Sequence, residues 1–465
     1  MNMINVRRLT AMTFLGAGML SGISAQVSPL QVDTLKETKI PDQWDLQSCI
    51  DYAKEQNITI RKNRITAVST QIDVKTAKAA LFPSLSFSTG HQVVNRPYQE
   101  TSSRVSGSEI ISSNSKTSYN GNYGLNASWT LYNGNKRLKT IQQEKLNNQM
   151  AELDVATSEN NIQESIAQVY IQILYAAESV KVNENTLQVS IAQRDRGQEL
   201  LNAGSIAKSD LAQLEAQVST DRYQLVTAQA TLEDYKLQLK QLLELDGENE
   251  MNIYLPALSD ENVLAPLPTK RDVYISALSL RPEIEASKLN VEASELGINI
   301  AKSSYFPTIS LSAGIGTNHT SGSDFTFGEQ VKNGWNNSIG LSVSVPIFNN
   351  RQTKSAVQKA KLQYETSMLS LLDEQKALYK TIESLWLDAN SAQQRYAAAN
   401  EKLKSTQISY ELISEQFNLG MKNTVELLTE KNNLLQAQQE QLQAKYMAIL
   451  NTQLLKFYQG DQLAI

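Results

Sequence analysis

The sequence predicts a mainly α-helical chain with a membrane β-barrel portion, built on an internal duplication. Three observations carry that reading. Ala77-Lys78-Ala79-Ala80-Leu81-Phe82-Pro83-Ser84-Leu85-Ser86-Phe87-Ser88 returns as Ala301-Lys302-Ser303-Ser304-Tyr305-Phe306-Pro307-Thr308-Ile309-Ser310-Leu311-Ser312. The stretches 135–201 and 350–418 hold no proline and a single glycine, Gly197, and their apolar residues recur at helical spacing. Between each Phe-Pro and the following Asn-Gly or Asn-Asn, the period switches from helical to two. Repeats of this length announce an architecture rather than a motif.

The echo extends beyond the first pair. Leu131-Tyr132-Asn133-Gly134-Asn135 answers Ile347-Phe348-Asn349-Asn350-Arg351, and Leu201-Asn202-Ala203-Gly204 answers Phe417-Asn418-Leu419-Gly420. Pro307 lies 224 residues after Pro83, whereas Asn350 and Gly420 each lie 216 after Gly134 and Gly204. One copy therefore carries eight more residues between its Pro and its Asn-Gly. A rigid scaffold with one adjustable loop is expected.

Residues 1–25 read as a secretory signal peptide. Arg7-Arg8 form the charged start, 9–20 a short apolar run, and Ser21-Gly22-Ile23-Ser24-Ala25 a small-residue cleavage site before Gln26. That run is too short for a spanning helix. Cleavage would move the net charge from −5 to −7, with no basic footprint for nucleic acid. The single cysteine, Cys49, excludes an intrachain disulfide framework and suits a small apolar packing position on a first helix.

In the first long stretch, Ile162, Ile166, Val169, Ile173, Ala176, Val180 and Leu187 form a near-heptad stripe. The pattern resumes after Gly204 with Leu211, Leu214, Val218, Leu225, Leu232, Leu239 and Leu242, and after Gly420 with Leu428, Leu435, Leu442 and Ile449. These are coiled-coil-like helical hairpins, bent at tips 202–204 and 418–420, where glycine supplies the left-handed cap. A helix of such length spans roughly 100 Å, several times the globular norm. The opposite faces are rich in Gln, Asn, Ser, Thr and Ala, which suits close packing or plain solvation.

Four segments, at about 84–94, 121–131, 308–318 and 337–347, alternate apolar with small polar residues. This is the weak signature of membrane strands. Polar loops at about 95–120 and 316–336 join them into two hairpins. Open sheet edges are not tolerated in lipid, so the strands must close. Four cannot. Two chains would give a plugged barrel of eight strands; three would give twelve and room for a channel. A homotrimer in outer-membrane lipid follows, with its helices continuing the barrel as a tube.

Chemistry is not indicated. The two histidines, His91 and His319, fall beside the hairpin loops, and no metal-spaced cluster, phosphate loop or nucleophile elbow appears. No enzyme activity and no cofactor are expected. An exported trimeric coiled-coil surface or adhesion protein is the alternative, but it would place strands at one terminus rather than inside each repeat.

The order helix, Phe-Pro, hairpin, Asn-Gly, long helix, glycine tip, helix, stated twice from about Leu46 to about Gly460, resembles the TolC-type outer-membrane efflux proteins. Arg281-Pro282-Glu283 also resembles that family's Arg-Pro-acid motif. The resemblance implies a trimeric exit duct of a tripartite efflux or type I secretion system, in the outer membrane of a Gram-negative bacterium and extending into the periplasm. It implies two partners: a periplasmic membrane-fusion adapter and an inner-membrane pump of the RND or ABC type. The domain bounds become an N-terminal extension at 26–45, a first repeat at 46–246, an equatorial linker at 247–280, a second repeat at 281–460 and a tail at 461–465.

The resemblance also places a gate. Asp210 stands six residues after Gly204, and Lys422 and Glu426 stand two and six after Gly420. It assigns Asp210 and Lys422 to a closing clasp and Glu426 to the aperture; acids in a helix's first turn have a simpler local use, which the residues leave open. Thr429 stands where some members carry a second acid, and Lys in place of Arg loses the bidentate fork. Adapter docking is expected at the tips, on Gly204, Ser205, Gly420 and Met421. Pro83, Pro307, Pro346 and Gly134 mark the strand–helix transitions.

Overall fold

A computed structural model describes residues 40–98, 102–106, 109–113, 116–246, 251–256, 263–321, 323 and 325–463. The expected signal peptide, most of the 26–45 extension, parts of the 247–280 linker and the last two tail residues lie outside the described residues. In chain order the elements are α1 (Leu46–Gln56), α2 (Ile58–Ala79), β1 (Ser84–Asn95), β2 (Ser102–Ser106), β3 (Glu109–Ser113), β4 (Thr117–Asn133), α3 (Lys136–Asn202) and α4 (Lys208–Leu242). There follow α5 (Lys270–Leu280), α6 (Pro282–Ser303), β5 (Thr308–Thr320), α7 (Phe327–Asn333), β6 (Asn336–Ser344), α8 (Gln352–Asn418) and α9 (Thr424–Gln459).

The two long helices, α3 and α8, are 67 residues each, as their freedom from proline foretells. That length is roughly 100 Å at 1.5 Å per residue. Each runs beside two shorter helices set end to end. α4 covers one part of α3 and α2 the other; they meet where Asn57 Nδ2 donates to the Leu242 carbonyl at 3.0 Å. Asn57 also breaks α1 from α2, its Oδ1 accepting from the Thr59 and Ile60 amides that begin the new helix.

The principal core sits midway along the helices and draws from α1, α3, α4, α8, α9 and the linker. Ile166, Tyr170 and Ile173 of α3 pack with Leu239, Tyr396 and Leu450 of α4, α8 and α9. Cys49 lies in this core with no exposed surface, and burial, then Asp45, pushes its thiol up to about 12. It is an inert packing residue. Trp44, only 1% exposed, joins the same core and bridges the linker: its amide donates to the Asn252 carbonyl and its carbonyl accepts from Tyr254, both at 2.8 Å. The linker then lies on α8, where Gln393 Nε2 donates to the Val263 and Ala265 carbonyls and Trp386 Nε1 to that of Pro268.

The strands form one antiparallel sheet in the order β1-β4-β5-β6, whose outer strands β1 and β6 have no further neighbour among the described residues. Register aligns Phe87, Leu125, Ile315 and, one pair along, Ala313 with Ile339, so a single apolar face runs across all four strands. That face is bare: Ile339 is 83% exposed and Phe87 68%. Ser86, Asn126, Gly314 and Ser338 line the other face. Among the described residues no helix is long and apolar enough to cross a membrane.

Two expectations need correction. The stretch 95–120 is not simply a loop: β4 begins at Thr117, and β2 and β3 pair as a small separate hairpin. Backbone pairing with β1 and β5 extends β4 past its regular apolar alternation. At the other hairpin, the 316–336 loop contains α7, capped by a Thr326–Glu329 box, and β6 stops at Ser344 rather than near Ile347. Pro346 has no amide with which to continue the ladder.

Pro83 and Pro307 sit directly before β1 and β5, and Pro346 between β6 and α8. Between β4 and α3 the chain turns through two left-handed residues, Gly134 (φ 66°) and Asn135 (φ 63°); Asn350 (φ 48°) and Arg351 (φ 66°) do the same before α8. Asparagine tolerates this conformation at 350, but a Cβ on Gly134 would lie 2.6 Å from the Ser303 carbonyl and 2.9 Å from Phe306 Cβ. Gly134→Ala is therefore expected to cost about 1–3 kcal/mol. Gly204 also has positive φ but open space around it, so Gly204→Ala should cost only ~1–2 kcal/mol. Thermal melts of the two variants check the order; a Gly134→Ala melt as mild as that of Gly204→Ala would refute the steric account.

Candidate functional site

The helical tips gather the residues singled out for gating. α3 ends in a Schellman turn: the Ser205 amide donates to the Leu200 carbonyl and that of Gly204 to Leu201, with Gly204 at φ 74°. The second tip repeats it with Met421 to Gln416 and Gly420 to Phe417, Gly420 standing at φ 75°. Beneath the turns, Leu214, Phe417 and Leu427 form a small buried core that holds the two hairpins together. Ser205, Asp210, Gly420, Met421, Lys422 and Glu426 all border one cleft of about 370 Å³ between the tips.

The charges in that cleft are used locally within the chain. Lys422 Nζ lies 2.6 Å from Glu426 Oε1, one turn along. Glu426 also completes a capping box with Asn423, its Oε2 accepting from the Asn423 amide while Asn423 Oδ1 accepts from the Glu426 amide. Lys422, then the Asn423 amide, hold the Glu426 carboxyl below the usual carboxylate range. Asp210 Oδ2 accepts from the Ala207 amide at 3.0 Å at the start of α4. The structure thus brings Asp210 and Lys422 to one cleft, while the ion pair it forms there joins Lys422 to Glu426. Thr429 turns its hydroxyl back to the Val425 carbonyl.

Sequence reasoning missed a second polar site further along the helices from the tips. Lys431 of α9, Asp221 of α4 and Ser190 of α3 meet in a buried cluster, each 3% exposed or less. Lys431 Nζ donates to both Asp221 Oδ2 and Ser190 Oγ, and Ser190 donates to the same carboxylate oxygen. Gln217 Nε2 satisfies Asp221 Oδ1 at 2.9 Å. Burial pulls the Lys431 pKa down against the opposing pull of Asp221. The signal was present: Lys431 lies three residues after Leu428 and four before Leu435, and Asp221 three after Val218 and four before Leu225. Both occupy heptad positions reserved for apolar side chains, where a charge needs a partner.

Arg281 is a third such point. The motif that opens α6 places its guanidinium 2.7 Å from Glu283 Oε1 and 3.1 Å from Glu164 Oε1, and 4.3 Å from the Tyr458 ring centroid. Burial works against the charge of Arg281, yet Glu283, Tyr458 and Glu164 together hold its pKa above the ordinary value. Burial raises Glu164 despite its cationic partner, and pushes the Tyr458 phenol up to about 12. The cluster fastens α3, α6 and the end of α9 at one level.

Known proteins resemble the chain in sequence and in fold. The family model described as "Outer membrane efflux protein" matches residues 49–244 and 273–460. Over 294 residues the chain is 24% identical to the outer membrane efflux protein BepC of Brucella suis biovar 1, covering 63% of this chain and 61% of BepC. It is likewise 24% identical over 294 residues to the outer membrane protein TolC of Escherichia coli, covering 61% of this chain and 58% of that protein. The aligned stretch thus spans about three fifths of these relatives. Among solved structures, CusC, described as forming a transmembrane channel, superposes with a TM-score of 0.75 at 19% identity, over 90% of this chain and 92% of CusC. At that identity the likeness speaks for the fold.

Proposed function

The chain belongs to the outer membrane efflux protein family, and from that premise we propose that it is the outer-membrane exit duct of a tripartite efflux or type I secretion system. Three copies would each give four strands to one twelve-stranded barrel, with β6 of one copy pairing β1 of the next. The α3–α4 and α8–α9 hairpins would continue it as a periplasmic tunnel about 100 Å long. The observation that carries this reading is the sheet: apolar on one face in register across four strands, bare on that face, and open at both edges. In lipid such edges must be paired.

On this reading the chain is an internal duplication in which the repeats 46–246 and 281–460 each supply one strand hairpin and one helical hairpin, and the 247–280 linker girdles the tube. The duct does no chemistry. A periplasmic adapter docks on the tips at Gly204, Ser205, Gly420 and Met421, and an RND or ABC pump behind it supplies the energy. At the closed tip, Asp210 and Lys422 form part of the closing clasp, and Glu426 lines the aperture. The Lys422–Glu426 pair holds that lysine in the cleft.

Planar-bilayer conductance tests both levels. The purified chain should form trimers that conduct, and a monomer without conductance would end the duct reading. Lys422→Ala and Asp210→Ala should each raise single-channel conductance several-fold. Wild-type conductance in both would remove these residues from the gate while leaving the duct intact.

A further inference from the structure

The two histidines of the described chain, 228 positions apart, meet. His91 on β1 and His319 on β5 both pair with Gly121 on the intervening strand β4, at the end of the sheet farthest from the helices. Gly121 has no positive φ to justify glycine; it is there for space. A Cβ at that position would lie 2.3 Å from His319 Cε1, 2.5 Å from His319 Nδ1 and 3.2 Å from His91 Nδ1. The missing side chain lets both imidazoles lean over the middle strand, so that their Nδ1 atoms close on one point.

The surroundings are those of a ligand pair rather than of a plain aromatic belt. Tyr119 and Tyr123, two residues either side of Gly121, flank both imidazoles, with ring centroids 5.2–6.1 Å apart. Phe327 of α7 closes over His319 at 5.0 Å. His91 Nε2 is 3.1 Å from Thr89 Oγ1 and its Nδ1 is 2.8 Å from Tyr119 Oη. With the proton on Nε2 and donated to Thr89, Nδ1 accepts from the Tyr119 hydroxyl, and an ion would take that lone pair in place of the phenol proton while Thr89 serves as the outer partner that metal-bound histidines use. His319 Nδ1 is sealed from solvent and has no hydrogen-bond partner at all. Nothing in the packing explains an orphan nitrogen aimed at a second imidazole.

We propose that His91 and His319 bind one borderline divalent transition-metal ion above Gly121, with the Tyr119 phenol as an oxygen donor at its side. Imidazole nitrogens suit Zn2+, Ni2+ and Cu2+, with Cu2+ held most tightly. Both Nδ1 atoms would sit about 2.0–2.1 Å from such an ion. Among the described residues no three His, Cys, Asp or Glu side chains cluster, so the ion would complete its shell with water. Such an ion would tie β1 to β5 across β4, and thereby a strand of the first repeated stretch to one of the second.

The test uses the full chain, free of affinity tags, in detergent with one equivalent of Cu2+. Electron paramagnetic resonance should show coupling to two imidazole nitrogens, and one bound ion per chain should raise the melting temperature. His91→Gln and His319→Gln should each lose the two-nitrogen pattern and weaken binding beyond the roughly 10–100-fold that loss of an outer partner costs. A wild-type spectrum with fewer than two nitrogens, or a two-nitrogen spectrum that survives either substitution, overturns the site. The spectrum is read on the wild-type chain, so a poorly folded variant cannot decide the matter, and neither result depends on conductance.

Discussion

Replacing Lys431 with methionine is expected to destabilise the helical tip region by about 3–5 kcal/mol, the cost of leaving a buried carboxylate without its cation. Asp221 is 1% exposed, and among the described residues its one cationic partner is Lys431, with Ser190 and Gln217 as neutral donors. Asp221→Leu alone should cost a similar amount by stranding the ammonium. The double replacement, Asp221→Leu with Lys431→Met, should recover most of the loss, because two apolar side chains at heptad core positions need no partners. Thermal unfolding of helix in detergent, followed for all three variants, measures the coupling. If the double variant loses as much as the sum of the singles, the cluster is not the paired unit described here. The network joins α3, α4 and α9, so its loss should be read at the tip end of the bundle first.

Arg281→Ala is expected to cost a comparable ~3–5 kcal/mol at the middle of the molecule. The substitution strands Glu164, buried and already raised in pKa, and removes the guanidinium from the face of Tyr458. Arg281→Lys keeps the charge but not the planar fork that reaches Glu164 and Glu283 together, so an intermediate loss is expected. Melting curves of the two variants test this directly. Equal stability of Arg281→Ala and wild type would mean that the cluster contributes charge balance without stability.

Much of this molecule can be read along the chain. Freedom from Pro, with Gly197 the single glycine, marks α3 and α8 almost to the residue, since nothing inside them interrupts the ladder. Gly204 and Gly420 mark the tips because the turns there need a left-handed residue. The period-two stretches locate β1, β4, β5 and β6 because a pleated strand must alternate its faces. Less legible is what extends or decorates those elements. The early start of β4 depends on partners in β1 and β5 rather than on its own pattern. Trp44 reads only as part of the 26–45 extension until an isolated bridge to Ile253 of the linker holds it in place.

The candidate site residues divide in the same way. Asp210, Lys422 and Glu426 are named through the family resemblance, at fixed distances from Gly204 and Gly420, and they border one cleft. Which of them pair is a different question, and within the chain Lys422 chooses Glu426. Lys431 and Asp221 carried a visible signal, a charge in a heptad core position, yet each signal alone points only to an unnamed partner. His91, Gly121 and His319 carried none. Their meeting depends on the registers of two ladders, and a slip of one residue in either would turn one histidine to the opposite face.

Local periodicity, then, is enough to decide where helices and strands lie, which faces are apolar, and that four strands cannot close by themselves. Those properties follow from backbone geometry, which each residue shares with its near neighbours. Register, the burial of Lys431 against Asp221, the clamp around Arg281 and the two imidazoles over Gly121 were decided only when distant segments packed. Apart from the register inside each strand hairpin, they depend on contacts between residues more than a hundred positions apart, and no local period records those.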